Sequence, residues 1–231
     1  MGAVCTCIDH GGGTIVEAVD KGKGERRPKH VFEDGATYTG EWSGNERHGH
    51  GVQEWPDGAS YEGQWSRDKT KGKGRFEHAT GDVYEGEWLD EMAHGQGTYL
   101  HADGSKYEGE WYQDKQHGEG SETWPDGAHY DGQYAQGRKN GKGLFRWADN
   151  STYEGAFVDN DMQGKGIYQW ADGRRYEGSW RGNGMHGGGI FLWTDGRRYE
   201  GHYRHDAKDG TGIFTWPDGR RYEGQWKDGK Q

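Results

Sequence analysis

The chain has 231 residues, with 39 Asp and Glu against 29 Lys and Arg and a formal net charge of −10. Leu, Ile, Val and Phe together number only 22, too few for an aliphatic core, and a chain this polar and acidic ordinarily stays unfolded. Against that stand 14 Tyr, 12 Trp and 45 Gly, because each large ring buries about 150–250 Å².

Residues 1–30 read as a flexible N-terminal segment. Met1-Gly2 followed by Thr6 fits the N-myristoylation pattern, in which Met is removed and Gly2 is acylated. Cys5 and Cys7 are the only cysteines of the chain. They sit where S-palmitoylation would supply the second signal that stable anchoring needs. Lys21, Lys23, Arg26, Arg27 and Lys29 add attraction to an anionic leaflet, diluted by Asp20 and Glu25. The segment is therefore expected to be a lipidated tether at Gly2, Cys5 and Cys7. An ordinary flexible leader is the other reading. No apolar run reaches the roughly 18 residues of a membrane span, and no secretory signal core is present, which predicts a cytoplasmic chain.

From residue 31 the sequence repeats. A half unit holds Phe32 and Asp34-Gly35. Tyr38 then recurs every 23 residues as Tyr61, Tyr84, Tyr107, Tyr130, Tyr153, Tyr176, Tyr199 and Tyr222, without a slip. Two residues after each Tyr stands Gly, and four after it another ring, from Trp42 and Trp65 to Trp226. A second cluster of alternating glycines and rings follows, as in Phe145/Trp147 and Phe214/Trp216, and a turn such as Pro56-Asp57-Gly58 closes the unit. Alternation at steps of two places Tyr, Gly and ring on one face of a strand and residues such as Glu85 and Glu87 on the other. Each unit thus reads as a β-hairpin, and a fixed period in this range signals a stacked array. Glycine inside a strand marks a close approach to the backbone. The expected partner is a ring from the neighbouring unit.

Tyr107-Glu108-Gly109-Glu110-Trp111, then His117-Gly118-Glu119-Gly120, then Asp126-Gly127, resembles the MORN (membrane occupation and recognition nexus) repeat. The resemblance covers residues 31–231 as a half unit, eight full units from Tyr38 and a final strand from Tyr222. Thr39, Thr80 and Asn150 depart from the pattern. It implies an all-β fold: an elongated, single-layer, twisted antiparallel sheet of stacked 23-residue hairpins. It also implies a scaffold, since members serve in ciliary axonemes, cytoskeletons and membrane junctions, or as modules attached to enzymes such as lipid kinases. Open end strands predict pairing into a homodimer.

Catalytic residues are not expected. His48, His94, His117 and His186 share one repeat position, and His78 and His101 another, so they are copies rather than a unique constellation. Equivalent residues one hairpin apart lie about 9–10 Å from each other, too far to share a metal ion. No metal or cofactor site is expected. Gly182-x-Gly184-x-x-Gly187 matches a dinucleotide fingerprint by letter but lacks its strand–turn–helix setting. A pI of about 5.6 argues against nucleic acid.

The C-terminal units break the repeat with arginine pairs: Arg174-Arg175, Arg197-Arg198 and Arg220-Arg221. Residues 174–231 carry 11 Lys and Arg against 8 Asp and Glu, while residues 1–173 carry 18 against 31. Two readings stand. The pairs meet an acidic partner, whether anionic lipid, an acidic tubulin tail or the acidic half of another copy. Alternatively they pair across strands with Glu177, Glu200 and Glu223. The expected function is a non-catalytic, lipid-anchored scaffold that links the inner face of a membrane to cytoskeletal or ciliary proteins. The alternative is an axonemal structural subunit of radial-spoke-head type without membrane contact.

Overall fold

The computed structural model describes residues 24–231. Gly2, Cys5 and Cys7 lie outside the described residues. One antiparallel sheet of 19 strands makes up the described chain. Two short strands, β1 (Glu25–Arg26) and β2 (His30–Val31), both pair with β3 (Thr37–Ser43). The ladder thus starts ahead of residue 31, inside the stretch expected as tether. Seven-residue strands like β3 then alternate with nine-residue strands like β4 (Glu46–Glu54) as far as β18 (Ala207–Thr215). The last strand is β19 (Arg221–Trp226). Strands pair in chain order, with the same register in unit after unit: Gly40 faces Gly51, Gly63 faces Gly74 and Gly201 faces Gly212.

Two turns shape each unit. In the longer one, Gly58 takes a left-handed φ of +94°, while Ala59 N–H donates to Asp57 Oδ1 at 3.0 Å. This is why the sequence writes Pro-Asp-Gly there. Asn150, in the slot of that glycine, accepts the same conformation at φ +67°, as asparagine does more readily than most residues. The shorter turn has two residues, often both left-handed, as in Arg67 (φ +52°) and Asp68 (φ +65°). Many of these turns carry no glycine, so no residue type announces them. Tertiary contacts hold them: Arg47 N–H donates to Asp68 Oδ1 at 2.8 Å, Ala93 N–H to Asp114 Oδ1 at 2.7 Å and Met185 N–H to Asp206 Oδ1 at 2.7 Å. Each unit's turn is thereby tied to the one before it.

Among the described residues there is no second layer. Burial comes from rings lying on the sheet itself, and Tyr38, Tyr107, Tyr130, Tyr153, Tyr176 and Tyr199 are wholly buried. Contrary to expectation, the glycines are covered by their own unit's tyrosine and not by a neighbour's ring. An added Cβ on Gly166 would fall 2.5 Å from Tyr153 Cε2 and 2.6 Å from Cζ. The ring folds back over the glycine pair Gly155–Gly166 of its own hairpin, and its hydroxyl donates to the Ala156 carbonyl at 3.0 Å. The neighbour's contribution is lateral. Trp180 stands edge-on to Tyr153 at 5.4 Å and donates its indole N–H to the Gly166 carbonyl at 3.1 Å.

Candidate binding face

One face of the sheet is aromatic along its whole length. Each tyrosine of the repeat from Tyr38 to Tyr199 touches rings edge-on in its own unit and in the next. Tyr61 meets Trp65 at 5.0 Å and Trp88 at 5.3 Å; Tyr199 meets Tyr203 and Trp226, each at 5.2 Å. The T-shaped geometry suits the ring quadrupole, and such pairs add about 0.5–1.5 kcal/mol beyond area burial. A second file of rings runs beside the first, its tryptophans partly open to solvent and its Phe191 and Phe214 buried: Trp147 to Tyr168 at 5.0 Å, Trp170 to Phe191 at 5.1 Å, Trp193 to Phe214 at 5.5 Å. The opposite face carries the repeated glutamates, exposed at Glu62, Glu85, Glu108 and Glu154.

Burial lifts the tyrosine pKa values. Tyr38, Tyr99, Tyr153, Tyr176 and Tyr199 are each pushed from 10.0 up to about 12, chiefly by burial. Tyr61, Tyr84, Tyr107 and Tyr130 are pushed higher still for the same reason. The folded chain therefore holds these protons more tightly than the unfolded chain does. Stability is whole below pH 10 and is lost as pH rises toward about 12. An alkaline titration followed by circular dichroism and tyrosinate absorbance should show ionisation and unfolding as one steep event. Gradual ionisation of a still-folded sheet would contradict this.

A column opposite the strand rings decides what each stretch of the face offers. Arg47 pairs with Trp42 in the sheet, Thr70 with Trp65, Ala93 with Trp88, Lys139 with Tyr134 and Lys208 with Tyr203. Gln116, Met162 and Met185 complete the column. Lys139 reaches over the face to Glu122, with Nζ 2.8 Å from Oε2, and the two side chains are only 14% and 17% exposed. Glu122 also accepts from the Tyr134 hydroxyl at 3.0 Å. It stands where other units place Phe76, Phe145, Phe191 or Phe214. Lys208 has no carboxylate partner among the described residues; it lies 4.7 Å from the Trp226 ring centre and 4.8 Å from that of Phe214. Burial, with Arg197 as a lesser cause, lowers its pKa. Where the column narrows to Thr70 and Ala93, the face opens into a cavity of about 470 Å³ walled by rings such as Trp55, Phe76, Trp88 and Trp111.

The arginine pairs split across the sheet as the alternation implies, but their partners lie along the strand instead of across it. Arg175 pairs with Glu177 at 2.8 Å, Arg198 with Glu200 at 2.6 Å and Arg221 with Glu223 at 2.7 Å. The cross-strand positions beside Glu177 are held by Ile167 and Ile190, which is why cross-strand pairing fails there. Arg174, Arg197 and Arg220 each bond the aspartate of their own turn, Asp172, Asp195 and Asp218, at 2.7 Å. The same three guanidiniums lie 5.2, 5.4 and 5.7 Å from Trp170, Trp193 and Trp216. Among the described residues no group of three or more His, Cys, Asp or Glu is placed to hold a metal ion.

A single sheet of like hairpins, one face aromatic and the other charged, is a repeat scaffold, a surface for binding built without a separate core. The MORN repeat profile matches residues 38–60, 61–83, 84–106, 107–129, 130–152, 153–174, 176–197, 199–220 and 222–231, and the chain belongs to the MORN-repeat family. No protein of curated function matches it. Among solved structures it is similar to the TCP10 domain of Danio rerio CPAP, at 13% identity over 88% of this chain and 100% of that one, with a TM-score of 0.47. It is also similar to the SAS-4 (dCPAP) TCP domain of Drosophila melanogaster, solved in complex with a proline-rich motif of Ana2. That likeness is 13% identity over 96% of this chain and 99% of that one, with a TM-score of 0.38.

Proposed function

We propose that the array is a lipid-anchored scaffold that holds cytoskeletal or ciliary proteins at the inner face of a membrane. The observation that carries the scaffold half is the aromatic face, whose outer tryptophans Trp124, Trp147, Trp170, Trp193 and Trp216 stay partly exposed. A sheet that needed those rings only for its own stability would bury them as fully as it buries the tyrosines. The anchor half rests on Gly2, Cys5 and Cys7 in the sequence. The arginine pairs support contact with an acidic partner, because Arg220 and Arg221 keep 75% and 54% of their side chains exposed while ion-paired. Such surface pairs are weak, so an incoming anion can exchange for the internal carboxylate.

The anchor is tested in the cell of origin. Gly2→Ala should move the protein from the membrane fraction to the soluble fraction. Cys5→Ser with Cys7→Ser should leave binding transient, since one acyl chain binds membranes only marginally. Intact-mass analysis showing Gly2 free or acetylated would end the membrane reading and leave the axonemal subunit in its place.

A further inference from the structure

The array contains the same aromatic cage twice, once filled and once open. Around Lys208 stand Trp193, Tyr199, Phe214 and Trp226, with ring centres 5.1, 5.2, 4.8 and 4.7 Å from its ammonium. Six repeats earlier the same four residue types recur as Trp55, Tyr61, Phe76 and Trp88. Their spacings agree: Trp55–Phe76 is 5.6 Å against 5.5 Å for Trp193–Phe214, and Tyr61–Trp88 is 5.3 Å against 5.2 Å for Tyr199–Trp226. Phe76–Trp88 is 6.3 Å against 6.1 Å for Phe214–Trp226. At the position of Lys208, however, the earlier cage has Thr70, and the volume the lysine would occupy is part of the 470 Å³ cavity. The Thr70 hydroxyl is buried there without a hydrogen-bond partner among the described residues.

The charges around the open cage differ from those around the filled one: Arg47 lines the cavity where the filled cage has Met185, but Asp68 pairs with it, and the carboxylates of Glu91 and Asp114 line the cavity as well. Lys208 shares its surroundings with Arg197, whereas the corresponding residue of the earlier unit is Ala59. The tight turn beside Thr70 offers Glu91, whereas the turn beside Lys208 has Gly229 at that place. One unit before, the chain shows what that turn position does. Arg47, lying 4.3 Å over Trp65, bonds Asp68 with Nε 3.1 Å from Oδ1. Glu91 is the next copy of Asp68, and no ion pair engages it among the described residues. The unit after repeats the vacancy with Ala93 in the column and Asp114 at the turn.

We propose that the open cage around Thr70 binds a lysine or arginine side chain from a basic segment of a partner protein, and that the adjoining cage around Ala93 takes a second. This rests on the scaffold reading only for the existence of a partner, and the membrane anchor plays no part in it. Aromatic cages are known acceptors of ammonium and guanidinium groups. The two cages lie one hairpin apart, about 9–10 Å. A polyproline II segment rises about 3.1 Å per residue and repeats its face every third residue, so basic residues at i and i+3 fit both.

The test uses the purified full chain and the peptide acetyl-Gly-Ser-Lys-Ser-Ser-Lys-Ser-Gly-amide, titrated at low salt and followed by indole fluorescence. The control peptide carries norleucine in place of both lysines. The lysine peptide should bind at least about tenfold more tightly than the control, the range a desolvated cation–π contact supplies. Thr70→Lys should fill the cage from within, as Lys208 does, and weaken binding at least about tenfold while keeping the unfolding midpoint. Thr70→Met, which copies the residue type of Met162 and Met185 in the same column, should do so with a neutral side chain if the lysine variant folds poorly. Glu91→Gln should weaken binding about threefold, as loss of a partly exposed ion pair does. Equal binding of the two peptides, no binding to the unaltered chain, or unchanged binding by folded Thr70→Lys or Thr70→Met would each overturn the proposal. Those outcomes would leave the anchor and the arginine pairs untouched.

Discussion

Gly166→Ala is expected to destabilise its unit by about 3 kcal/mol, the upper range for forcing a carbon into a packed site. The Cβ would meet Tyr153 at 2.5 Å from both Cε2 and the hydroxyl oxygen, and the ring is wholly buried, so it cannot yield without exposing itself. The neighbouring Gly164 tests the other use of glycine. Its φ is +69°, yet a Cβ there meets only Ala156 Cβ at 3.6 Å, so Gly164→Ala should cost only the left-handed backbone penalty of about 1–2 kcal/mol. Urea unfolding with amide exchange resolved by unit measures both. The decisive measurement is a cycle with Tyr153→Ala. With the ring gone, Gly166→Ala should add almost nothing, while Gly164→Ala should cost what it did before. If Gly166→Ala costs as much without the tyrosine as with it, the ring-over-glycine account fails.

The second large effect concerns Glu122 and Lys139. Lys139→Met should cost about 3 kcal/mol, because it strands a carboxylate inside an aromatic face. Glu122→Phe alone should cost a similar amount by stranding the ammonium. The double variant should recover to within about 1 kcal/mol of the unaltered chain or exceed it, since well-packed apolar residues commonly replace a buried pair without loss. The pairing of Phe with Met already exists in the array, where Phe145 and Met162 occupy the same two positions one repeat on. Midpoints in urea for the two single variants and the double give the coupling directly. Additive losses in the double would show that the pair is not a unit.

The repeat itself was open to inspection in the sequence because its physics is periodic. Tyr and ring at steps of two from Tyr38 to Trp226 define strands, face and register together, and the Pro-Asp-Gly turns announce their own geometry. Three features were hidden, each because it depends on how side chains meet in the assembled sheet. The two-residue turns such as Arg67-Asp68 take left-handed conformations that neither residue prefers, and Asp68 is held there by the backbone of Arg47. The cover over the glycines is set by side-chain direction along the strand, which spacing alone does not give. The column from Arg47 to Lys208 looks like a polar position until the sheet places it against the rings. In the arginine pairs, charge type could be read from sequence, but choosing the along-strand partner required knowing that Ile167 and Ile190 flank Glu177.

The buried rings thin out between two clusters, with Tyr84 the one buried ring in the interval among the described residues. One cluster gathers Tyr38, Trp42, Tyr61 and Trp65; the other runs from Tyr107 to Trp226. The interval between them is where Thr70 and Ala93 leave the face open. In a chain of segments that interact only with nearest neighbours, failure under load or denaturant starts at the weakest coupling. Here that link falls between Trp65 and Tyr107, dividing the array into a short and a long cooperative block. A guest seated across the two vacancies would act as a splint, and the array would then respond to force as a single rod.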